Sequence, residues 1–550
     1  MSLMSVFSEP DDFCTIQRLV RPLRIATGLG RLLLLIALAA PILNAQTYTD
    51  LFDFAGASCC PQYPYLMAQG RDGNLYGTVS AGGTNGQGFV YQITPTGSYK
   101  VLYNFDTVHG STPIGGLTLA PDGNLWGTTE EGGAHGFGNI FKITPAGALT
   151  VVYDFTAGTD GGHPVSPLIV GFDGLLYGTS YPGMSYKIST GGAFHVIGTI
   201  PGTSYGPLLQ ANDGSFYGVT EFDGTSSAGT VYKITGKTYK ILHNFDMASG
   251  SYPVGGLALG SDGNFYGTTT AGGTSNAGVL YRITPAGVYT DLVNFDPRNP
   301  GVLNGYQSYA GLISGSDGNL YGATIWGGVN GYGVIFSLST GGGYTPLYSF
   351  AAPSGDGAYT TPMQHTNGTI FGMTERGGAG SGGVIYSFSD GFPSFARTVN
   401  RSGHVGASVQ VVGTGFSTTS VVRVGGTPAS FHVISDSYLT ATVPAGTTGV
   451  VTVATASGTL TSSGIFKVIP KITSFTPTTG KVGDSVVITG TGLIDGGFGW
   501  MVGKGKVTSF VTNSDTQVTI FVPATATTGK ISVTTLGGKA SSAATFTVTP

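Results

Sequence analysis

Charged side chains are scarce in this chain: 24 Lys and Arg with 28 Asp and Glu amount to 9% of 550 residues, for a net charge of −4. So thin a charge leaves no basic stripe to neutralise a phosphate backbone, which excludes a nucleic-acid partner. Cysteine occurs three times, too few for a disulfide framework or a cysteine zinc site. The eight histidines are scattered without an HxH or HExxH pair, so no metal or cofactor is expected. Helical periodicity is missing, and so is any long apolar run. The longest, "LLLLIALAA" at Leu32–Ala40, is too short to span a bilayer, and the rest of the chain offers no membrane span.

What is abundant is glycine, 93 residues, with 40% hydrophobic and 11% aromatic residues. Glycine and low charge alone would suit disorder, but that apolar content calls for packed cores. The length calls for more than one domain. Residues 1–45 stand apart. Arg18, Arg21, Arg24 and Arg31 precede the apolar run, and Ala45 ends "PILNA". A basic segment, a short hydrophobic segment and a small residue predict a signal peptide, with a mature chain starting near Gln46 outside the cytoplasm, secreted or at the cell surface. Cys14 lies in the part removed, leaving Cys59 and Cys60. Adjacent cysteines reach disulfide geometry only with strain, so the pair is either a vicinal bridge or two free thiols.

The phrase "DGNLYGT" at Asp72–Thr78 returns as "DGNLWGT" at Asp122–Thr128 and "DGNFYGT" at Asp262–Thr268. Aligned copies place its Asp at Asp72, Asp122, Asp173, Asp213, Asp262 and Asp317, with Asn367 in the seventh slot. Repeats about 50 residues apart mean a repeat architecture. Each copy alternates short Val/Ile/Tyr/Phe runs with turn chemistry: Asp-Gly, a Gly-Gly loop, then "TPAG". Four short strands per copy make a propeller blade. The region opens on "YTDLFDF", which matches a fourth strand, and ends on "GGVIYSFSD", which matches a third. Tyr48–Phe54 is therefore expected to pair with Val384–Phe388, closing a ring of seven blades and removing its exposed edges.

These units resemble the GloVer tandem repeat of bacterial exported proteins, with looser likeness to kelch blades and to virginiamycin lyase-type propellers. The resemblance covers about Tyr48–Asp390 and implies export, often with a C-terminal sorting anchor, but no particular activity. The sequence ends in "TFTVTP" without a hydrophobic tail, so no anchor is expected. After Asp390 the period breaks. "VGASVQVVGTGF" at Val405–Phe416 recurs as "VGDSVVITGTGL" at Val482–Leu493, and matched prolines Pro444 and Pro523 lie 79 residues apart. Both copies resemble IPT/TIG modules, which implies immunoglobulin-like sandwiches acting as spacers. The expectation is an all-β chain: signal peptide 1–45, seven-bladed β-propeller 46–391, and two Ig-like β-sandwiches at 392–469 and 470–550.

With so much glycine, short motifs match by accident. "GAGSGG" at Gly378–Gly383 lies between strands and "GTSYG" at Gly202–Gly206 is followed by no helix, so neither holds a phosphate or a nucleophile elbow. The informative signal is variation between copies just before the Gly-Gly pair: Ser80-Ala81, Glu130-Glu131, Glu221-Phe222, Thr270-Ala271, Ile325-Trp326 and Glu375-Arg376. Variable loops on a constant scaffold are where recognition sits. Phe222 and Trp326 offer faces for a sugar ring, and Glu130, Glu131, Glu221, Glu375 and Arg376 offer hydrogen bonds to hydroxyls. The reading is a monomeric, non-catalytic exported binding or adhesion protein, with polysaccharide or a cell-surface protein as partner. The alternative is an extracellular propeller enzyme, a lyase or glycan-cleaving, using Glu130, Glu221 or Glu375 as acid and base. The bland reading is that these residues are solvated loop tips.

Overall fold

The computed structural model describes residues 46–55, 67–200, 202–297, 305–494 and 499–550; the expected signal peptide and Cys59 and Cys60 lie outside them. The described chain is all-β, with two single-turn 3-10 segments. No helix among the described residues is long and apolar enough to cross a membrane.

Among the described residues between Thr47 and Ser389 the strands form seven four-stranded antiparallel sheets and one two-stranded pair. The sheet holding Asp122 is typical, with strands Leu117–Leu119, Leu125–Thr129, Asn139–Ile143 and Leu149–Asp154 in chain order. The recurrent phrase is a clamp. Asp122 accepts hydrogen bonds from the Asn124 backbone and side chain and from the Trp126 indole. Asp72, Asp173, Asp213, Asp262 and Asp317 likewise accept the hydroxyl of the tyrosine four residues on. In the seventh copy Asn367 replaces the carboxylate and Phe371 lacks the hydroxyl, so donor and acceptor disappear together. The glycine after the aromatic residue is dictated by packing. A Cβ at Gly77 would stand 2.2 Å from the Tyr91 hydroxyl, and one at Gly127 2.7 Å from the Phe141 ring. The third-strand aromatic lies flat over the second strand, and only glycine leaves room for it.

The first of the seven motifs sits in a sheet that packs on the last. Tyr91 donates to the Met373 sulfur, and Gln69 donates to Thr366. The last sheet has the order Thr47–Ala55, Ser381–Ser389, Ile370–Met373, Met363–Gln364. Its outer strand is the N-terminal one, in antiparallel register Tyr48↔Phe388, Asp50↔Tyr386 and Asp53↔Val384. This is the pairing expected from the phase of the repeat. Aromatic rings staple that strand on both sides: Tyr48 stacks on Tyr348 at 4.1 Å, and Phe52 on Tyr99 at 3.8 Å. The same stack joins fourth strands elsewhere, as Tyr153 on Phe194 and His243 on Tyr289.

After Asp390 come two pairs of sheets with matching strand order. In the first, Arg397–Thr398, Ser408–Val412, Tyr438–Thr442 and Phe431–Ser435 face a five-stranded sheet that contains Val421–Val424, Gly449–Thr455 and Gly458–Ile469. In the second, Lys471–Thr476, Ser485–Thr491, Gln517–Phe521 and Phe510–Ser514 face a sheet that contains Gly499–Val502, Gly529–Thr535 and Gly538–Val548. Each pair encloses its own core, the first around Phe416 and Phe466, the second around Trp500 and Phe546.

The first sandwich is not held off as a spacer would be; it packs on the ring of sheets. Arg71 lies over the Tyr438 ring at 4.6 Å and donates to the Pro121 carbonyl and to Gln410. Arg401 and Lys467 both sit over the Phe172 ring, at 4.2 and 3.8 Å. Val399, Val412 and Tyr438 join one apolar cluster with Leu119 and Leu125. On the ring side these partners all belong to the Asp-Gly turns or the strands beside them.

Deleting residues 48–54 is expected to leave the Ser381–Ser389 edge unpaired. Thermal unfolding at a lower temperature with aggregation would bear this out, whereas a variant melting like the parent would refute closure by this strand.

Candidate binding face

Four strands joined in sequence put their connections at alternate ends. The Asp-Gly and "TPAG" turns therefore share one end of each sheet, which the first sandwich covers in part. The Gly-Gly loops and the links between sheets share the other end, where the variable residues lie.

One backbone device orders that end. Thr112, His163, Tyr252 and Gln307 occupy the left-handed region at φ 55, 47, 59 and 54°, and Gly357 does so at 71°. Each donates its N–H to a loop of the preceding sheet, as His163 to the Phe137 carbonyl at 2.8 Å and Tyr252 to Ala228 at 2.8 Å. Each accepts at its carbonyl from the first variable residue of its own sheet: Glu130 from Thr112's sheet at 3.0 Å, Tyr181 to His163 at 3.2 Å, Glu375 to Gly357 at 2.9 Å. A left-handed conformation costs a side-chain-bearing residue on the order of 1 kcal/mol. Its recurrence reflects the bridge it makes between neighbouring sheets.

The pinning gives the two residues of each variable pair different fates. Ser80, Thr270 and Ile325 are buried; Glu130, Glu221 and Glu375 are half-buried; Glu131, Phe222 and Arg376 are exposed. Trp326 is half-buried and pairs in register with Tyr306. Two clusters result. In the first, Glu130, Tyr181 and Glu221 come from three consecutive sheets and converge on Tyr205: burial first, then the charges of Glu221 and Glu130, hold its hydroxyl above its ordinary value. Burial lifts the Glu130 carboxyl, aided by Glu131 and opposed by His163, whose Nδ1 lies 3.1 Å from the Glu130 carbonyl oxygen. Phe222 lies against Tyr252 at 5.3 Å. In the second cluster Arg376 lies over Trp326 at 5.2 Å and 3.6 Å from the Asp356 carboxylate. Burial raises Glu375 against the opposing pull of Arg376 and the Tyr359 hydroxyl, and Tyr359 packs on Tyr309 at 5.2 Å.

Sequence comparison between copies found the glutamates, Phe222, Trp326 and Arg376, but missed Tyr181, Tyr205, Tyr252, Tyr309 and Tyr359. Tyr181 fills the slot of Glu130 in the copy with the shortened loop. Tyr205, Tyr309 and Tyr359 share another slot, the one Ile114 holds, just before each first strand. Aligning that second variable position would have found them. Glu131 is exposed and reaches the first cluster only through its charge on Glu130. Among the described residues no group of three or more His, Cys, Asp or Glu is placed to hold a metal ion.

Repeated four-stranded sheets, recurring motif clamps and a terminal sandwich define the class: an all-β tandem-repeat protein with a C-terminal immunoglobulin-type module. The chain belongs to the Gloeobacter/Verrucomicrobia repeat family, whose model matches residues 41–194 and 203–433, and it carries an IPT/TIG domain at 470–548. No curated protein matches it. Among solved structures it is similar to a fungal alcohol oxidase of the AA5 family, in complex with copper, at 13% identity over 78% of this chain and 99% of that one, TM-score 0.43. It is similar to the WD40 β-propeller domain of Doa1 at 11% identity over 62% and 97% of the two chains, TM-score 0.41. A surface glycan-binding protein from Prevotella bryantii matches at 20% identity over 28% and 41%, TM-score 0.22.

Burial alone pushes the Glu221 carboxyl from 4.5 up to about 7. The folded state thus holds a proton that the unfolded chain releases above pH 4.5, so this group's contribution to stability falls as pH rises from about 4.5 to about 7. Glu221→Gln, which mimics the protonated form, is expected to match the parent's Tm at pH 4 and exceed it at pH 8. Equal Tm values at pH 8 would show that burial does not raise this carboxyl above its ordinary value.

Proposed function

We propose that this is an exported, non-catalytic glycan-binding protein, a closed seven-bladed propeller (46–391) carried with two TIG-type sandwiches (392–469 and 470–550). The observation that carries the reading is the pairing of exposed aromatic faces with half-buried carboxyls at the variable end. Tyr181, Tyr205, Phe222 and Tyr309 are 53, 39, 61 and 38% exposed, beside Glu130, Glu221 and Glu375. Flat rings offer a sugar its apolar face, and carboxyls fixed by neighbouring backbone bridges accept hydroxyl hydrogen bonds. The sandwich against the opposite end supports the variable end as the presented one. The basic segment, hydrophobic run and Ala45 support export to the surface or the medium.

One observation favours the catalytic alternative: a carboxyl near 7, as Glu221 has, suits a general acid at neutral pH. Glycoside cleavage needs a second carboxylate across the bond. Glu221's elevation comes from burial with no neighbouring acid contributing, whereas Glu130's acidic neighbour is Glu131, its own chain neighbour.

Purified protein from Gln46 onward, tested on a panel of neutral and acidic polysaccharides, is expected to be retained without releasing soluble product. Phe222→Ala combined with Trp326→Ala is expected to weaken retention by about tenfold or more, as loss of two aromatic contacts does, with little change in Tm. Product release would replace binding with catalysis, and retention untouched by both substitutions would move the site off this end.

A further inference from the structure

The junction between the ring and the first sandwich holds a cavity of about 690 Å³. Its ring wall sets Leu209, Leu257, Leu312 and Leu320 beside the polar Gln210 and Asn212; its sandwich wall carries Arg397, Arg401 and Ser462–Ile465. No Asp or Glu lines it. Arg401 is partly satisfied by the Phe172 ring at 4.2 Å and by the Gln210 carbonyl at 3.5 Å. Arg397 has nothing comparable: among the described residues, no carboxylate or hydrogen-bond acceptor meets its guanidinium.

No carboxylate acts on either arginine. Burial lowers both to about 10, which still leaves both charged at neutral pH, and no acid offsets that burial. Lys467, beside Phe172, is lowered to about 8 by burial and then by Arg401, with Asp213 opposing. Asp213 is already engaged, by Lys233 at 2.8 Å and Tyr217 at 3.0 Å. His365, the titratable group near Arg397, is pushed down by burial and by Arg397's charge, and its ring bonds the Gly73 carbonyl. Asp262 and Asp317, on adjacent turns, are held by Asn264 and Tyr266 and by Asn319 and Tyr321. Both arginines are half-buried, and a charge drawn partly out of water is ordinarily paired. Here the counter-charge is not supplied by the protein, and there is room beside it for a molecule of sugar size.

We propose that this cavity is an oxyanion site, in which Arg397 and Arg401 grip the carboxylate or sulfate group of a small molecule whose body lies against the leucine wall. The guanidinium fork matches the two oxygens of such a group, and the absence of acid selects against cations. The site is distinct from the variable end and stands whether or not that end binds glycan.

The test uses the full chain from Gln46, with sodium glucuronate, sodium sulfate and glucose at low millimolar concentration and ionic strength held constant with sodium chloride. At an anion concentration a hundredfold over Kd, Tm is expected to rise by roughly 2–3 °C. Glucose is expected to leave Tm unchanged, and the rise to vanish in Arg397→Gln combined with Arg401→Gln. Response to glucuronate without sulfate identifies an organic acid as the ligand; response to sulfate identifies the oxyanion itself as sufficient. No rise with either anion, an equal rise with glucose, or a rise that survives both substitutions overturns the proposal. If the double variant does not fold, Arg397→Lys is read by calorimetry. A loss of glucuronate affinity of about tenfold supports the fork, and unchanged affinity overturns it.

Discussion

Every sheet in this molecule's ring has two edges, and the last sheet would have a bare one if Thr47–Ala55 did not cover Ser381–Ser389. That pairing joins strands more than 300 residues apart, and much else depends on it. With the edge covered, Tyr48 and Phe52 take up the stacking positions that Tyr153 and Phe194, or His243 and Tyr289, hold elsewhere. The first and last sheets can then press together through Tyr91 and Met373 as any neighbours do. Open, the same sheets would offer unpaired N–H and C=O groups to other chains.

Within that closed frame two networks of opposite character face opposite ways. At the Asp-Gly end, each carboxylate is spent on its own turn and on the aromatic residue four positions on, so the end is rigid and uniform. At the variable end, the left-handed residues spend their backbone groups bridging neighbouring sheets, which leaves side chains free to differ. Uniformity suits docking, and the first sandwich uses it through Arg71, Arg401 and Lys467. Diversity suits recognition, and there Glu130, Tyr181, Glu221 and Tyr205 from different sheets meet.

The low overall charge gives the few charged groups weight. Arg71 finds a carbonyl, an amide and the Tyr438 ring, and Arg376 finds Asp356 and Trp326. Arg397, half-buried, finds neither. An unpaired, half-buried charge in a chain so sparing with charge is the feature that the scaffold's own packing does not account for.

What the sequence determined by itself was periodic. Repetition of Asp-Gly, of an aromatic residue followed by glycine, and of the Gly-Gly loop defined each four-stranded unit. The phase of the two ends defined which strands must meet. Local hydrogen bonds and strand alternation act over a few residues, so the letters of one copy suffice to write them. The variable pairs were legible for the same reason, as departures from a fixed frame. What only the tertiary structure decided was which departures gather. Tyr205 joins Glu130 and Glu221 because three sheets converge there, and no spacing in the chain encodes convergence. The packing of the first sandwich on the Asp-Gly end was equally hidden. Arg71 and Phe172 sit before the motif Asp of two copies, Arg401, Tyr438 and Lys467 lie more than 200 residues further on, and their cation–π and hydrogen-bond geometry exists only once both modules are folded.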